Sequence, residues 1–325
     1  MTSKLLSVSI AAYNVEKFLA DCLDSCCVNA SEKLEVIIVN DGSSDSTLEI
    51  ARAYERRNPQ MFKVIDKQNG GYGSTVNASL SAATGRYFRY LDGDDWFDAI
   101  GLERYVDLLA ECDGDAVYTP YLRVYEDGSP SELRDDLAHV DEGSYRMADL
   151  QDAPHIAACA LAYRTQMLRD SGFAMTERCF YTDVEYACLP FMHVKTLHVS
   201  KIPLYRYRIG REGQSVSLAG IERHYRDIIR VCRRLLREIC GDCRPCSLYL
   251  TRCLISECAT VYSFLTRIPP TAERKADLMA FDAMLREFES VYEATAERSK
   301  RARLLRTSRF LAYAPLCRLS ARGLR

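Results

Sequence analysis

The stretch "RYLDGDDWFD", residues 89–98, decides the fold and the site of this chain. It runs from a strand-like apolar segment into three carboxylates within four positions, Asp92, Asp94 and Asp95. Like charges this close repel one another, so a fold that keeps them together needs a compensating positive charge. Asp92 and Asp94 are two residues apart and project to the same side of an extended backbone. Carboxylate oxygens held in this way suit a hard cation such as Mg²⁺ or Mn²⁺.

A simpler interpretation of this stretch is a turn whose aspartates cap the next helix. Asp98 is well placed for capping, and Asp95 is a second candidate, because a helical pattern starts at residue 98. We assign Asp92 and Asp94 to a metal site because polar residues also follow the other predicted strands.

Strands and helices alternate through the first 115 residues. Four segments predict strands, the first two of them buried: "LLSVSIAAYN", "KLEVIIVN", "FKVID" and "RYFRYLD". This alternation indicates an α/β fold with a mostly parallel sheet flanked by helices, and residues from 219 onward predict an added C-terminal helical region. Asn14 is expected to cap the first helix.

Polar residues and glycines follow each predicted strand. Ligands of such sheets bind at the carboxyl ends of the strands. The segments concerned are residues 11–14, Asp41, the glycine loop 69–73 and residues 92–95. Four strand ends converging on one crevice predict a binding site more strongly than any single motif does.

Composition limits the function classes. The chain has 325 residues, 27% of them charged, and a net charge of −2. We therefore expect no nucleic-acid partner. The N-terminus resembles no signal peptide, and no window approaches ~18 consecutive apolar residues, so we expect a cytoplasmic protein.

One group of cysteines has metal-site spacing. Cys240, Cys243 and Cys246 lie in "CGDCRPC". A zinc or iron–sulfur site usually has four ligands, so we expect a cysteine-rich turn between two helices, with a metal site as the alternative.

Taken together, these stretches resemble the family 2 glycosyltransferases, nucleotide-sugar-dependent enzymes of the GT-A fold. The resemblance covers residues 7 to about 190 and is carried by "VSIAAYNVEKFLADCLDSC", "LEVIIVNDGSSDST", "NGGYGSTVNASLSAATGRYFRYLDGDDWF" and "FYTDVEYA". It implies Mg²⁺- or Mn²⁺-dependent transfer of a sugar from a nucleoside diphosphate sugar, expected to be a UDP-sugar, with inversion. The implied acceptor is a hydroxyl of a glycan or lipid-linked molecule in surface polysaccharide or glycoconjugate synthesis.

The resemblance also implies a set of site residues. It places the general base at Asp183, the metal ligand at Asp94 and the nucleotide-sugar contacts at Ala12, Tyr13, Asn14, Asp41, Gly70, Gly71, Asn77, Asp92 and Gly93. Two departures stand out. Thr182 precedes Asp183 where the family usually has Glu, and Thr75-Val76-Asn77 stands where Ala-Arg-Asn is common. Any contact of that arginine is expected to be absent or supplied elsewhere.

The chain is expected to have three functional regions. Residues 1–115 form the nucleotide-sugar-binding half, 116–218 the acceptor-binding half with the base, and 219–325 the helical region. After Glu297 there are no acids, and basic residues interleave with large apolar ones. This pattern predicts that residues 298–325 bind an anionic membrane surface, at the inner face of the cell membrane. A solvated helix, or one packed against protein, is the alternative.

Other activities fit the sequence less well. A nucleotidyltransferase or a dehydrogenase needs a glycine-rich motif straight after the first strand, and "IAAYNVEKF" has none. Polymerising synthases of the broad family carry Gln-x-x-Arg-Trp, whereas the one tryptophan here is Trp96, so we expect addition of a single sugar. A catalytically weak nucleotide-sugar-binding or scaffold protein of the same fold remains the alternative.

Overall fold

The chain divides into two compact units. The computed structural model describes residues 4–210, 217–241 and 247–322. By its contacts the chain separates into Met1–Arg211 and Glu212–Arg325. All predicted site residues lie in the first unit. The functional boundaries expected near residues 115 and 218 stay predictions.

The strands all belong to the first unit within the described residues. They are β1 (Leu6–Ala12), β2 (Leu34–Asp41), β3 (Phe62–Lys67), β4 (Tyr87–Asp92), β5 (Trp96–Phe97), β6 (Ala116–Tyr118), β7 (Tyr121–Tyr125), β8 (Glu132–Arg134), β9 (Gly143–Arg146), β10 (Leu161–Arg164), β11 (Thr196–Val199) and β12 (Tyr205–Ile209).

The helices occur in both units. The first unit contains α1 (Leu19–Asp24), α2 (Thr47–Arg57), α3 (Tyr72–Ala82), α4 (Ala99–Glu111), α5 (Thr165–Asp170) and α6 (Asp183–Cys188). The second contains α7 (Leu218–Cys240), α8 (Leu248–Arg267), α9 (Ala272–Leu285), α10 (Glu289–Arg298), α11 (Lys300–Thr307) and α12 (Tyr313–Arg322).

The main sheet has eight strands in the order β3-β2-β1-β4-β10-β6-β11-β9. β1 pairs in parallel with β2 and β4, and β3 continues the parallel part beyond β2. The register places Ala11 opposite Asp92 and Ala12 opposite Asn40. The carboxyl ends of three neighbouring strands therefore meet at one edge. The predicted α/β fold with a helical C-terminal region is confirmed.

A second sheet includes the two residues that follow the carboxylates. It has four strands in the order β5-β12-β7-β8, and β12 pairs antiparallel with the two residues of β5. The pairing aligns Tyr205 with Phe97 and Arg206 with Trp96. Through β5, the chain that follows the three carboxylates is held against β12.

Capping differs from expectation at one of two helices. Asp98 caps α4 as predicted, since its carboxylate accepts a hydrogen bond from the Gly101 amide at 2.7 Å. Asn14 does not cap a helix, because α1 begins only at Leu19 and Asn14 has a positive φ of 52°. The prediction was wrong because a loop separates β1 from α1.

The basic C-terminal segment contributes to the core of the helical unit. Arg306 lies 2.6 Å from the carboxylate of Asp282, which is 1% exposed, and its guanidinium stacks on the ring of Tyr292. Leu305 and Phe310 are also buried. Much of the segment expected at a membrane therefore packs within its own unit, and lipid binding stays a prediction for its outer face. Among the described residues, no helix combines the length and apolar character needed to cross a bilayer.

The cysteine cluster is only partly visible. Cys240 ends α7, and Cys243 and Cys246 lie outside the described residues. The expectation about metal binding at "CGDCRPC" therefore stays a prediction.

Candidate active site

The three carboxylates lie where β4 ends beside β1. Asp92 is the last residue of β4, and the Asp95 amide donates to the Asp92 carbonyl at 3.0 Å, which closes a tight turn. A Cβ atom at Gly93 would lie 2.8 Å from the Ala11 carbonyl oxygen. Glycine is therefore required between Asp92 and Asp94, because any side chain there would push the turn away from β1.

Tyr205 of β12 bridges two of these carboxylates. Its hydroxyl lies 2.6 Å from Asp95 Oδ2 and 3.1 Å from Asp92 Oδ2, and it also accepts from the Asp92 amide at 3.2 Å. Asp95, 2% exposed, accepts a further bond from the Arg208 amide at 2.8 Å. Asp95 therefore ties the turn to β12.

The electrostatics of the cluster favour a bound cation. Burial and then the charge of Asp94 raise the pKa of Asp92 to about 7. Burial, with the charges of Asp92 and Asp94, raises the pKa of Asp95 well above its usual range. A protein keeps carboxylates in such surroundings at a cost in free energy, which a divalent ion would remove.

Arg208 is held beside the cluster by two aromatic rings. Its guanidinium lies 4.8 Å from the ring centroid of Phe18 and 4.7 Å from that of Trp96. Its Nε donates to the Asp94 carbonyl at 2.9 Å. The single tryptophan of the chain thus positions an arginine at the mouth of the site.

Asp41 organises the glycine loop at the end of the neighbouring strand. Its carboxylate, 3% exposed, accepts from the amides of Gly70 and Gly71, both at 2.9 Å, and from Lys67 Nζ at 2.6 Å. Lys67 also donates to Ser74 Oγ at 2.8 Å. Lys67 therefore places a positive charge beside the glycine loop, which lacks the arginine that is common in similar sequences.

The segment after β1 lies at the same edge of the sheet. Tyr13 is 53% exposed, whereas Ala12 is fully buried. Asn14 Oδ1 accepts from the Ser44 amide at 2.8 Å, which links this segment to the turn after β2. The exposed ring of Tyr13 is thus available for stacking on a base, while Asn14 shapes the surrounding loop.

Asp183 is exposed at the start of α6, close to the acidic cluster. Its charge contributes to the raised pKa of Asp92. Burial, then Asp92, Asp95 and Asp183, raise the pKa of Tyr207. Asp183 and the three carboxylates at the end of β4 therefore influence the same group of side chains electrostatically.

Aromatic packing fixes α6 to β4. Tyr186, one turn after Asp183, packs edge-on against Tyr90 with ring centroids 5.0 Å apart. Its hydroxyl donates to the Phe88 carbonyl at 3.3 Å. This contact holds Asp183 in place relative to Asp92.

The glycine loop and the segment before α6 are joined by hydrogen bonds. The Arg178 amide donates to the Gly70 carbonyl at 2.7 Å. Asn77 bonds both the amide and the carbonyl of Met175, at 2.8 and 2.9 Å. Glu185, fully buried, accepts from Thr176 at 2.6 and 2.7 Å. The side chain of Asn77 is therefore engaged in positioning, and Glu185 is held as a support for this segment.

Several functional candidates carried no signal in the sequence. Tyr205 and Tyr72 both interact with Asp92, although they lie in distant parts of the chain. Burial and the charge of Asp92 raise the pKa of Tyr72, at the start of α3. Lys67 is the last residue of a strand whose sequence has no recognisable motif, and Arg178 lies in a loop that also has none. Only the pairing of distant segments brings these residues to the site.

Comparison with known proteins agrees with this geometry. The family model for Glycosyl transferase family 2 matches residues 7–172, about half of the chain. EpsH of Bacillus subtilis (strain 168) is 28% identical over 216 residues, which cover 64% of this chain and 62% of EpsH. The match thus spans less than two thirds of that relative.

Two solved structures share the fold. S. aureus TarS 1–349 in complex with UDP-GlcNAc has a TM-score of 0.72 and 18% identity, covering 98% of this chain and 92% of that one. The mannosyltransferase PcManGT from Pyrobaculum calidifontis, in complex with GDP-Man and Mn²⁺, has a TM-score of 0.54 and 16% identity, covering 98% and 84%.

Proposed function

Because the chain belongs to glycosyl transferase family 2, we propose that it transfers one sugar from a nucleoside diphosphate sugar to an acceptor hydroxyl with inversion. The observation that carries the proposal is the convergence of Asp183 with the Asp92–Asp94 pair: the charges of Asp94 and Asp183 both act on Asp92. Such a reaction needs a group that stabilises the leaving diphosphate and a base that activates the acceptor, and we assign these roles to the ion held by the Asp92–Asp94 pair and to Asp183.

Asp183 is the proposed general base. Its carboxylate, exposed at the start of α6, takes the proton of the acceptor hydroxyl as the hydroxyl oxygen attacks the anomeric carbon. The new bond forms as the bond from that carbon to the diphosphate oxygen breaks, and the electron pair leaves with the diphosphate. One displacement from the face opposite the leaving group inverts the anomeric configuration.

Mg²⁺ or Mn²⁺ is the proposed cofactor, and the residues present fit it. Asp94 would ligate the ion, with Asp92 beside it. The carboxylate oxygens of both residues are acceptors, and burial and mutual repulsion make their negative charge unfavourable unless a cation compensates it. When bound, the ion neutralises charge on the leaving diphosphate. Tyr205 and Arg208 keep the turn in place for it.

The donor nucleotide is proposed to lie along the edge formed by the ends of β1 and β2. Tyr13 offers an exposed ring, and the Asp41–Lys67 pair with Gly70 and Gly71 lines the next strand end. Arg178, exposed and bonded through its amide to Gly70, supplies a cation next to this loop. The fold accommodates both UDP and GDP sugars in the two solved structures; we propose a UDP-sugar for this chain.

The acceptor is proposed to be a glycan or lipid-linked molecule at an anionic membrane. The outer face of the segment supports this, since Leu311, between α11 and α12, is 78% exposed and Leu319 of α12 is 63% exposed among arginines. Such a face can enter the interfacial layer while the arginines contact lipid phosphates. Removal of residues 298–325 would also remove Leu305 and Arg306 from the core, so substitution of the exposed leucines is the better test.

A thermal-shift panel of nucleoside diphosphate sugars with Mn²⁺ tests the proposal. The donor should raise the melting temperature with increasing concentration, and released nucleoside diphosphate should then show turnover. Binding without turnover for every donor would favour the alternative of a nucleotide-sugar-binding scaffold.

A further inference from the structure

The helical unit contains a concave site of its own. It is a groove of about 610 Å³ between α7 and α9, and its lining includes five arginines and two acids: Arg226, Arg230, Arg233, Arg234, Arg237, Glu238 and Asp277. We call it the arginine groove. A chain with a net charge of −2 thus concentrates positive charge along one helix.

Described side chains of the protein neutralise only part of this charge. Arg226 bonds Glu273 and lies 3.0 Å from Asp277, and Arg234 lies 2.6 Å from Glu238. In the part of the chain that the structure describes, the side chains of Arg230, Arg233 and Arg237 have no ion-pair partner. The Nε atom of Arg233 is buried without a hydrogen-bond acceptor there. Among the described residues, these three guanidinium groups therefore lack a carboxylate partner and can bind an external anion.

The spacing of these three arginines follows one helix face. Residues 230, 233 and 237 are three and four positions apart, so their side chains form a row about 10 Å long. Guanidinium groups bind phosphate through two parallel hydrogen bonds. A row of this length suits an extended chain with several phosphates better than it suits a single small anion.

We propose that the arginine groove binds a flexible polymer that carries phosphate groups. The groove is concave and Arg233 is recessed within it, which fits a chain that lies along α7 and does not fit a flat lipid surface. The polymer is identified as the extended acceptor chain only on the basis of the proposed function; binding itself is independent of catalysis.

The test uses the full chain and fluorescently labelled short-chain inorganic polyphosphate in a salt titration. The variant Arg230→Gln/Arg233→Gln/Arg237→Gln should bind at least ~30-fold more weakly at low salt. Its slope of log affinity against log salt should fall by about 2, the change expected for three lost phosphate contacts on a flexible polyanion. The matched control, Arg104→Gln/Arg223→Gln/Arg252→Gln, changes three exposed arginines outside both the groove and residues 298–325 and should retain more of the affinity.

Other results would overturn the proposal. The first is that the unmodified chain does not bind polyphosphate. The second is that the two triple variants lose equal amounts of affinity. The third is that the groove variant still binds polyphosphate but no longer binds phosphatidylglycerol vesicles or a single-stranded oligonucleotide. Both variants should keep the melting temperature. Donor turnover without acceptor should be unchanged in both, so failure of polymer binding and failure of the proposed function are separate outcomes.

Discussion

Replacement of Asp92 by Asn should stabilise the metal-free protein at pH 8. The pKa of Asp92 is raised from 3.8 to about 7 in the folded state. Between these values the folded state binds more protons than the unfolded state, so stability falls as pH rises towards 7. Each pKa unit corresponds to about 1.4 kcal/mol, which sets a ceiling of about 4 kcal/mol at pH 8 and about 2 kcal/mol at pH 5. Water entering the partly exposed site reduces this, so we expect a gain of about 1–3 kcal/mol at pH 8.

Chemical denaturation in EDTA, followed from pH 5 to pH 8, measures this effect. The gain from Asp92→Asn should shrink towards pH 5, and in a separate assay with Mn²⁺ the variant should lose catalytic turnover. Asp107→Asn is the matched control, because its side chain is 75% exposed, and it should change stability by less than about 0.5 kcal/mol. A destabilised Asp92→Asn protein at pH 8, or a gain independent of pH, would refute the argument that the cluster is held under electrostatic strain.

Four further results are expected. Asp94→Ala, or excess EDTA with the unmodified enzyme, should abolish donor turnover, and full activity in EDTA would exclude a required metal. Asp183→Asn should keep donor binding but lower turnover at least ~10²-fold, the usual scale of general-base catalysis; unchanged turnover would place the base elsewhere. Arg178→Ala should raise the donor KM about 10-fold, because a charge-assisted hydrogen bond contributes roughly 1.5–3 kcal/mol, and an unchanged KM would remove it from the donor site. Leu311→Glu/Leu319→Glu should reduce binding to anionic liposomes, whereas equal binding would remove the membrane contact from this face.

The parallel half of the fold could be predicted because its signals are local. β1 and β2 are almost fully buried runs and β3 and β4 are short, largely apolar segments, and the residues that follow these strands form the ligand edge. The strands of the second half are short, such as Ala116–Tyr118, and their partners lie far away in sequence. The contact of Tyr205 with Asp95 joins residues 110 positions apart, which no local pattern indicates.

Residue patterns also could not separate competing environments of the same side chain. Alternating arginines and leucines after Glu297 indicate an amphipathic segment, but lipid and protein bury apolar side chains equally well. The pairing of Arg306 with Asp282 shows that part of the pattern serves the core. In the same way, the sequence of the glycine loop lacks the usual arginine, but it does not indicate that Lys67 and Arg178 lie beside the loop.

The anomeric configuration of the sugar released by water tests the central claim most directly. Early proton NMR spectra of donor hydrolysis with Mn²⁺, recorded before mutarotation, report which anomer leaves the enzyme. A single displacement assisted by Asp183 predicts the anomer opposite to that of the donor, at a rate that falls with Asp183→Asn. Release of the donor's own anomer would contradict the proposed mechanism.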